Sequence, residues 1–300
     1  MSTHRSHLAY AGIALFVTLL WSSSWVLIRW GLDQESLQPL TFAALRYGVA
    51  SLVMIGRVLS RRTYRRQLAS MDRGLLGRIV VLGVIFYALT QGSIFVALDN
   101  QPAATTSLLL ALTPLLVAVL AGRSLSETAS GRQVWGTILV GLGAWLYFTG
   151  GLGATEVGIV AAVVALGANV AGSLLGRHVN RPADASPVVI TAVSMTVGSV
   201  VLAVIGAASE GLPSVSTRGW LIILWLAIVN TAVAFTLWNL SLRELSAVES
   251  AGINNTMLIQ IAILAWLFLG ERPGLAGLLG VVLVSIGVLL TQTVRGRVPD

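Results

Sequence analysis

The sequence predicts an all-α polytopic membrane protein, with ten transmembrane helices as two inverted five-helix repeats around a central cavity. Three observations predict it. Of the 300 residues, 56% are hydrophobic and 10% charged, whereas an ordinary soluble domain is about a quarter charged. Ten apolar runs reach the length of about 17 to 25 residues that crosses a bilayer. They lie at 8–30, 38–57, 75–98, 102–122, 133–150, 155–176, 186–208, 219–242, 246–269 and 274–294, which leaves no room for a separate soluble domain. Finally, the chain resembles itself at an offset of 144 residues.

Taken in order, the first run follows only His4, Arg5 and His7, and it is too long and too rich in tryptophan for a cleavable signal peptide. It reads as the first permanent helix. The second opens on QPLTFAAL and carries Arg46, about 12 Å from its nearer end at 1.5 Å per residue. Pairing with backbone carbonyls or a neighbouring helix is the role expected of Arg46, and binding of a substrate carboxylate is the alternative. The third run contains Tyr87, Thr90, Gln91 and Ser93, and the fourth Thr105, Thr106, Ser107, Thr113 and Pro114. The fifth has Gly136 and Gly143. In the sixth, GSLLG at 172–176 has the small-xxx-small spacing of helix packing, beside Asn169. The seventh opens on SPVVITAV, and the eighth carries Asn230, Thr231, Phe235, Thr236, Trp238 and Asn239. GINNTMLIQ at 252–260 places three amides in the ninth, and the tenth repeats the glycines as Gly280 and Gly287.

Charge sets the topology. All 19 basic residues are arginine, and fifteen fall on the side of the termini: Arg5, Arg57, Arg61, Arg62, Arg65, Arg66, Arg73, Arg78, Arg123, Arg132, Arg177, Arg181, Arg243, Arg295 and Arg297. Only Arg29, Arg218 and Arg272 lie on the other. The arginine-rich side of short loops stays cytoplasmic, so a bacterial-type inner membrane with both termini cytoplasmic is expected. The run RVLSRRTYRR reads as a solvated topology anchor rather than a nucleic-acid surface. There is no cysteine, which excludes disulfides and thiolate metal sites.

The offset of 144 pairs Leu98 with Leu242, Ala103 with Ala247, Glu127 with Glu271, Gly136 with Gly280 and Gly143 with Gly287. The halves are therefore assigned as residues 1–150 and 151–300. Five crossings per repeat force the second to enter from the opposite face, the symmetry many secondary transporters use for alternating access. With Trp-Ser-Ser-Ser in the first helix, and FVALDNQPAATTSLLLALTPLLVAVLAGRSLSE followed by WGTILVGLG, the chain resembles the EamA family of the drug/metabolite transporter superfamily. Within it, the chain is most similar to bacterial aromatic amino-acid exporters. The resemblance implies that helices one, three, four, six, eight and nine line the cavity and that two, five, seven and ten are scaffold.

In a bilayer, polar side chains turn to the bundle interior, because lipid leaves them unpaired. The candidate solute-binding residues are accordingly Trp21, Ser22, Ser24, Trp25, Tyr87, Gln91, Thr113, Asn169, Asn230, Phe235, Trp238, Asn254, Asn255 and Gln260. Rings would take an apolar side chain, and amides and hydroxyls the ammonium and carboxylate of an amino acid. Trp21 and Trp25 share a helix face, with Ser22 and Ser24 flanking it. Pro114 removes a backbone bond, and it and Gly252 are candidate gating points.

The three histidines, His4, His7 and His178, sit at the cytoplasmic edge, and GxSxG, HExxH and Walker motifs are lacking, so no enzyme, metal site or cofactor is expected. Glu249, about one turn into the ninth helix, is the only carboxylate placed for proton coupling. The expectation is a facilitative exporter of aromatic or large neutral amino acids. A proton-coupled drug or metabolite exporter is the alternative, and a non-transporting membrane scaffold the alternative from another class.

Overall fold

A computed structural model describes residues 2–113, 116–117, 120, 131–149, 153–180, 186–241, 245, 247–272 and 274–292, and among these residues all regular structure is helical. The helices are α1 (Ser2–Asp33), α2 (Pro39–Ser60), α3 (Arg62–Ala69), α4 (Arg73–Asn100), α5 (Ala103–Leu110), α6 (Gly131–Thr149), α7 (Glu156–Asn180), α8 (Pro187–Ser209), α9 (Thr217–Ala227), α10 (Ala234–Ser241), α11 (Ala247–Leu269) and α12 (Leu275–Gln292). Two stretches are wound as π-helix, Gly83–Gln91 inside α4 and Ile228–Val233 between α9 and α10.

Among the described residues five spans are long and apolar enough to cross a membrane: Leu8–Asp33, Pro39–Ser60, Arg73–Asn100, Glu156–Asn180 and Pro187–Ser209. Shorter apolar helices accompany them at Ile138–Tyr147, Thr217–Val233, Thr256–Leu269 and Leu275–Leu290. Such a set makes a polytopic membrane protein. Leu52, Trp145 and Leu221 stand exposed, as suits side chains that meet hydrocarbon rather than water.

Helix ends follow from capping. Asp72 accepts from the Gly74 and Leu75 amides to start α4, Ser186 from Val189 before Pro187 in α8, and Ser216 from Gly219 in α9. Two starts are capped by distant carboxylates instead. Glu210 accepts from the Leu40 and Thr41 amides at 2.9 and 2.8 Å, and Glu271 from those of Ala103 and Ala104 at 2.8 and 3.2 Å. Negative charge at a helix start also meets the positive end of its dipole. Gly211 and Gly270, just past α8 and α11, have φ of 82° and 69°, the left-handed conformation that ends helices and favours glycine. The basic run after α2 is itself helical: α3 buries none of its residues, in keeping with a solvated anchor.

The described contacts form two compact units, Met1–Val26 with Pro102–Ala154 and Phe235–Asp300, and Leu27–Gln101 with Thr155–Ala234, each drawing on both halves of the chain. In the first, α6 lies against α12 around Val140, Tyr147, Val281, Val284 and Val288. Its glycines make this possible. A Cβ on Gly143 would sit 2.7 Å from the Gly280 carbonyl oxygen, one on Gly280 2.6 Å from that of Gly143, and one on Gly287 2.6 Å from that of Gly136. Contacts 143 to 280 and 136 to 287 run in opposite senses, so the two helices are antiparallel.

In the second unit α2 packs on α8, and α4 on α7 and α8. Gly83 and Gly198 bring α4 and α8 together, since a Cβ on either would lie 2.4 Å or 2.3 Å from the other helix. The GSLLG stretch packs as expected: Gly172 meets Phe86 and Gly176 meets Leu82.

Candidate functional site

The candidate residues of the first unit gather around α1. The Trp21 ring lies 5.2 Å from both Phe235 and Trp238, tilted by 55° and 51°. Such tilted pairs contribute about 0.5–1.5 kcal/mol each beyond burial. One residue on, Ser22 is fully buried and donates to Gln260 Oε1 at 3.0 Å. Gln260 Nε2 donates to Thr18 at 3.1 Å and Thr256 at 2.9 Å, and those hydroxyls donate to Leu15 and Ile253 carbonyls. Gln260 thereby spends its oxygen and both amide hydrogens on α1 and α11, which makes it a polar tie between two helices.

The expected wall of Trp21, Ser22, Ser24 and Trp25 therefore divides by direction. At 100° per residue, Trp21 turns to α10 and Ser22 to α11. Ser24 is buried with its hydroxyl 3.4 Å from the Leu20 carbonyl, and Trp25 is half-buried. Thr113 is buried, Asn254 exposed, and Phe235 half exposed. Gly252 lies within α11. Pro114 and the Asn255 side chain lie outside the described residues, as does the Glu249 side chain.

In the second unit Tyr87 and Gln91 sit together inside the π-wound stretch of α4. Tyr47 of α2 donates its hydroxyl to Gln91 Oε1 at 2.6 Å and meets the Tyr87 ring edge-on at 5.8 Å, while Phe86 meets Tyr87 at 5.4 Å. Asn230 is buried in the other π-wound stretch, and Asn169 is half-buried on α7. In both stretches a threonine hydroxyl donates to the carbonyl five residues back, Thr90 to Ile85 and Thr231 to Leu226, each at 2.9 Å. That reach matches the wide i to i+5 turn, a feature frequent at functional sites.

Two further residues belong to this neighbourhood: Tyr47, absent from the sequence candidates, and Arg46, read from the sequence as a structural arginine with carboxylate binding as the alternative. The expectation that Arg46 pairs with carbonyls is not met. Its side chain is 7% exposed, its Nε has no hydrogen-bond partner, and among the described residues no carboxylate pairs with it. Its guanidinium lies 5.1 Å from the Tyr47 ring centroid, a cation–π distance. Arg29 shows the contrast, since it donates to the Leu98 carbonyl and pairs with Asp33 at 2.9 Å. In α2 (Pro39–Ser60), Arg46 sits about 5 Å from the helix centre at 1.5 Å per residue, where a charge costs about 2.5–3.5 kcal/mol even on insertion scales. The depth of Arg46 was legible in the sequence. Its lack of a partner was not.

Five of the described helices are long and apolar enough to span a membrane and carry aromatic rings, amides and hydroxyls along them, and among the described residues no group of three or more histidines and carboxylates could hold a metal; the class of multi-pass membrane transporters follows from a family match. The EamA-like transporter family pattern matches residues 9–149 and again 156–293. The chain belongs to that family, and is a transporter rather than an enzyme. Curated relatives include the uncharacterized transporter YyaM of Bacillus subtilis, 26% identical over 87% of this chain and 86% of that protein. Another is protein PecM of Dickeya dadantii, 25% identical over 74% of this chain and 75% of its own length. A third is an S-adenosylmethionine/S-adenosylhomocysteine transporter of Chlamydia trachomatis, 25% identical over 94% and 90%. None of these three is named for aromatic amino acids. A crystal structure of a protein 18% identical superimposes with a TM-score of 0.65 over 95% of this chain and 97% of its own, a likeness of fold.

Proposed function

We propose that this chain is a facilitative exporter of aromatic or large neutral amino acids. It works by alternating access between two inverted five-helix repeats, 1–150 and 151–300, in a bacterial-type inner membrane with both termini cytoplasmic. The observation that carries the mechanism is the glycine crossing of α6 and α12. At the offset of 144, Gly136 corresponds to Gly280 and Gly143 to Gly287, so the contact of Gly143 with Gly280 and that of Gly287 with Gly136 are each other's images. A two-fold axis between the helices accounts for this reciprocity. The pairs α2 with α8 and α5 with α11 likewise join helices at matching places in the two repeats. Repeats related in this way exchange openness between the two faces of the membrane.

For the solute, the support is chemical. In the first unit Trp21, Trp25, Phe235 and Trp238 offer rings for an apolar side chain and Asn254 and Asn255 amides for its polar end, and in the second Tyr87 offers a ring and Asn169 and Asn230 amides, while Ser22, Gln91 and Gln260 are tied to other side chains and hold their neighbours in place. S-adenosylmethionine, named for the chlamydial relative, is itself an amino acid joined to an aromatic purine, so it falls within the same chemistry. Pro114 and Gly252 are the gating points. Uptake of labelled tryptophan, phenylalanine and leucine into proteoliposomes, with and without a pH gradient, tests the reading. Saturable flux independent of the gradient is expected; no flux of any amino acid overturns the solute, and gradient-driven flux overturns the facilitative mechanism.

A further inference from the structure

We propose that Arg46 is the residue that binds the carboxylate of the solute, a role that rests on the export of amino acids argued above. A guanidinium held at membrane depth is retained for function by default, with its partner to be named. Among the described residues the protein supplies none. Arg46 is more than nine-tenths buried, its Nε is unbonded, and no carboxylate among the described residues pairs with it. What the protein does supply is a support. The Tyr47 ring lies under the guanidinium at 5.1 Å, and its hydroxyl is fixed by Gln91 at 2.6 Å. The same ring meets the edge of Tyr87 at 5.8 Å. A cation held in place by packing, with its fork of donors unspent, is complementary to a planar anion that accepts two parallel hydrogen bonds. A carboxylate arriving with the solute would give the guanidinium the partner that the described residues do not provide.

This assignment removes α2 from a purely scaffolding role and makes two demands that a structural arginine does not. Removal of Arg46 relieves an unpaired buried charge, so the ligand-free protein becomes no less stable. Removal also abolishes discrimination by the carboxylate. The test measures ligand-induced thermal shift and proteoliposome flux for wild type, R46Q, R46M and R46K, using tryptophan, tryptophanamide, tryptamine and indole-3-propionate as probes. Wild type is expected to prefer tryptophan to its amide. R46Q and R46M weaken tryptophan binding by about 30-fold or more, bind acid and amide alike, and unfold at or above the wild-type temperature; R46K keeps part of the preference.

The outcomes separate the two readings. If R46Q transports tryptophan as wild type does, the Arg46 assignment falls while amino-acid export stands. If indole-3-propionate moves in an Arg46-dependent way and no amino acid does, amino-acid export falls while the carboxylate site stands. Flux confined to tryptamine and the amide overturns both. A lower unfolding temperature in both R46Q and R46M, with probe preferences intact in R46K, returns Arg46 to a structural role.

Discussion

Replacement of Gly143 by alanine tests the α6–α12 contact most directly. The added methyl would sit 2.7 Å from the Gly280 carbonyl oxygen, 2.8 Å from Leu283 Cβ and 2.8 Å from the Val284 amide nitrogen. A relaxed carbon–oxygen contact is about 3.3 Å, so the helices must part locally by roughly 0.6 Å. Overpacking by one methyl costs about 1–3 kcal/mol. The upper half of that range is expected, because two of the three atoms are backbone and cannot rotate away. A loss of about 2–3 kcal/mol is a shift of roughly 30- to 150-fold in the folded to unfolded ratio. Gly141, on the same helix, provides the control, since nothing lies within 4 Å of its added Cβ, and alanine there gains helix propensity. Thermal unfolding in detergent at one scan rate should place G143A well below wild type and G141A at or above it. Combined with G280A, the loss should fall short of the sum, because both methyls open the same gap. A G143A protein as stable as G141A would refute the contact and, with it, the reciprocity that supports the inverted repeat.

Three further outcomes are expected. Trp21→Ala should impair amino-acid flux while the protein still inserts and folds, with a stability loss of about 1–3 kcal/mol from two lost ring pairs; normal flux per folded molecule would return Trp21 to packing. Glu271→Gln keeps the shape but removes the charge that meets the Ala103 and Ala104 amides, so unfolding should come about 1–2 kcal/mol earlier, and an unchanged unfolding temperature would discount that cap. The chain has no cysteine, so single cysteines report topology cleanly: an impermeant maleimide should label Ser214→Cys in intact cells and Arg65→Cys only after permeabilisation, the reverse pattern inverting the orientation.

Helix positions were legible because they depend on properties local in sequence. The run read as 186–208 is α8, Pro187–Ser209, and that read as 155–176 begins one residue ahead of α7, Glu156–Asn180, and ends inside it. The paired glycines were legible too, because duplication preserves a close approach. The π-wound stretches were not, since a change from i+4 to i+5 bonding leaves no mark on residue type or spacing. Nor were the caps of Glu210 and Glu271, whose amide partners lie roughly 170 residues away along the chain. The candidate wall in α1 shows the intermediate case: the faces of Trp21 and Ser22 followed from helical geometry, but that Ser22 would meet Gln260, 238 residues on, depended on which helix stands opposite.

The two π-wound stretches also set a rule for insertions and deletions. Each accommodates extra backbone within one turn, and the chain beyond it inherits that phase. A one-residue deletion inside Gly83–Gln91 can be taken up there by a return to α-winding, whereas one in the α-wound turns before it, Arg73–Leu82, would swing every side chain beyond by about 100° and shift it by 1.5 Å. Phe95 would leave Phe42, its edge-on neighbour at 5.1 Å, and Gly92 would leave Leu202. In the α-wound parts of these helices residue number is thus a rotational coordinate, and the π-wound stretches are where a change of spacing can be absorbed.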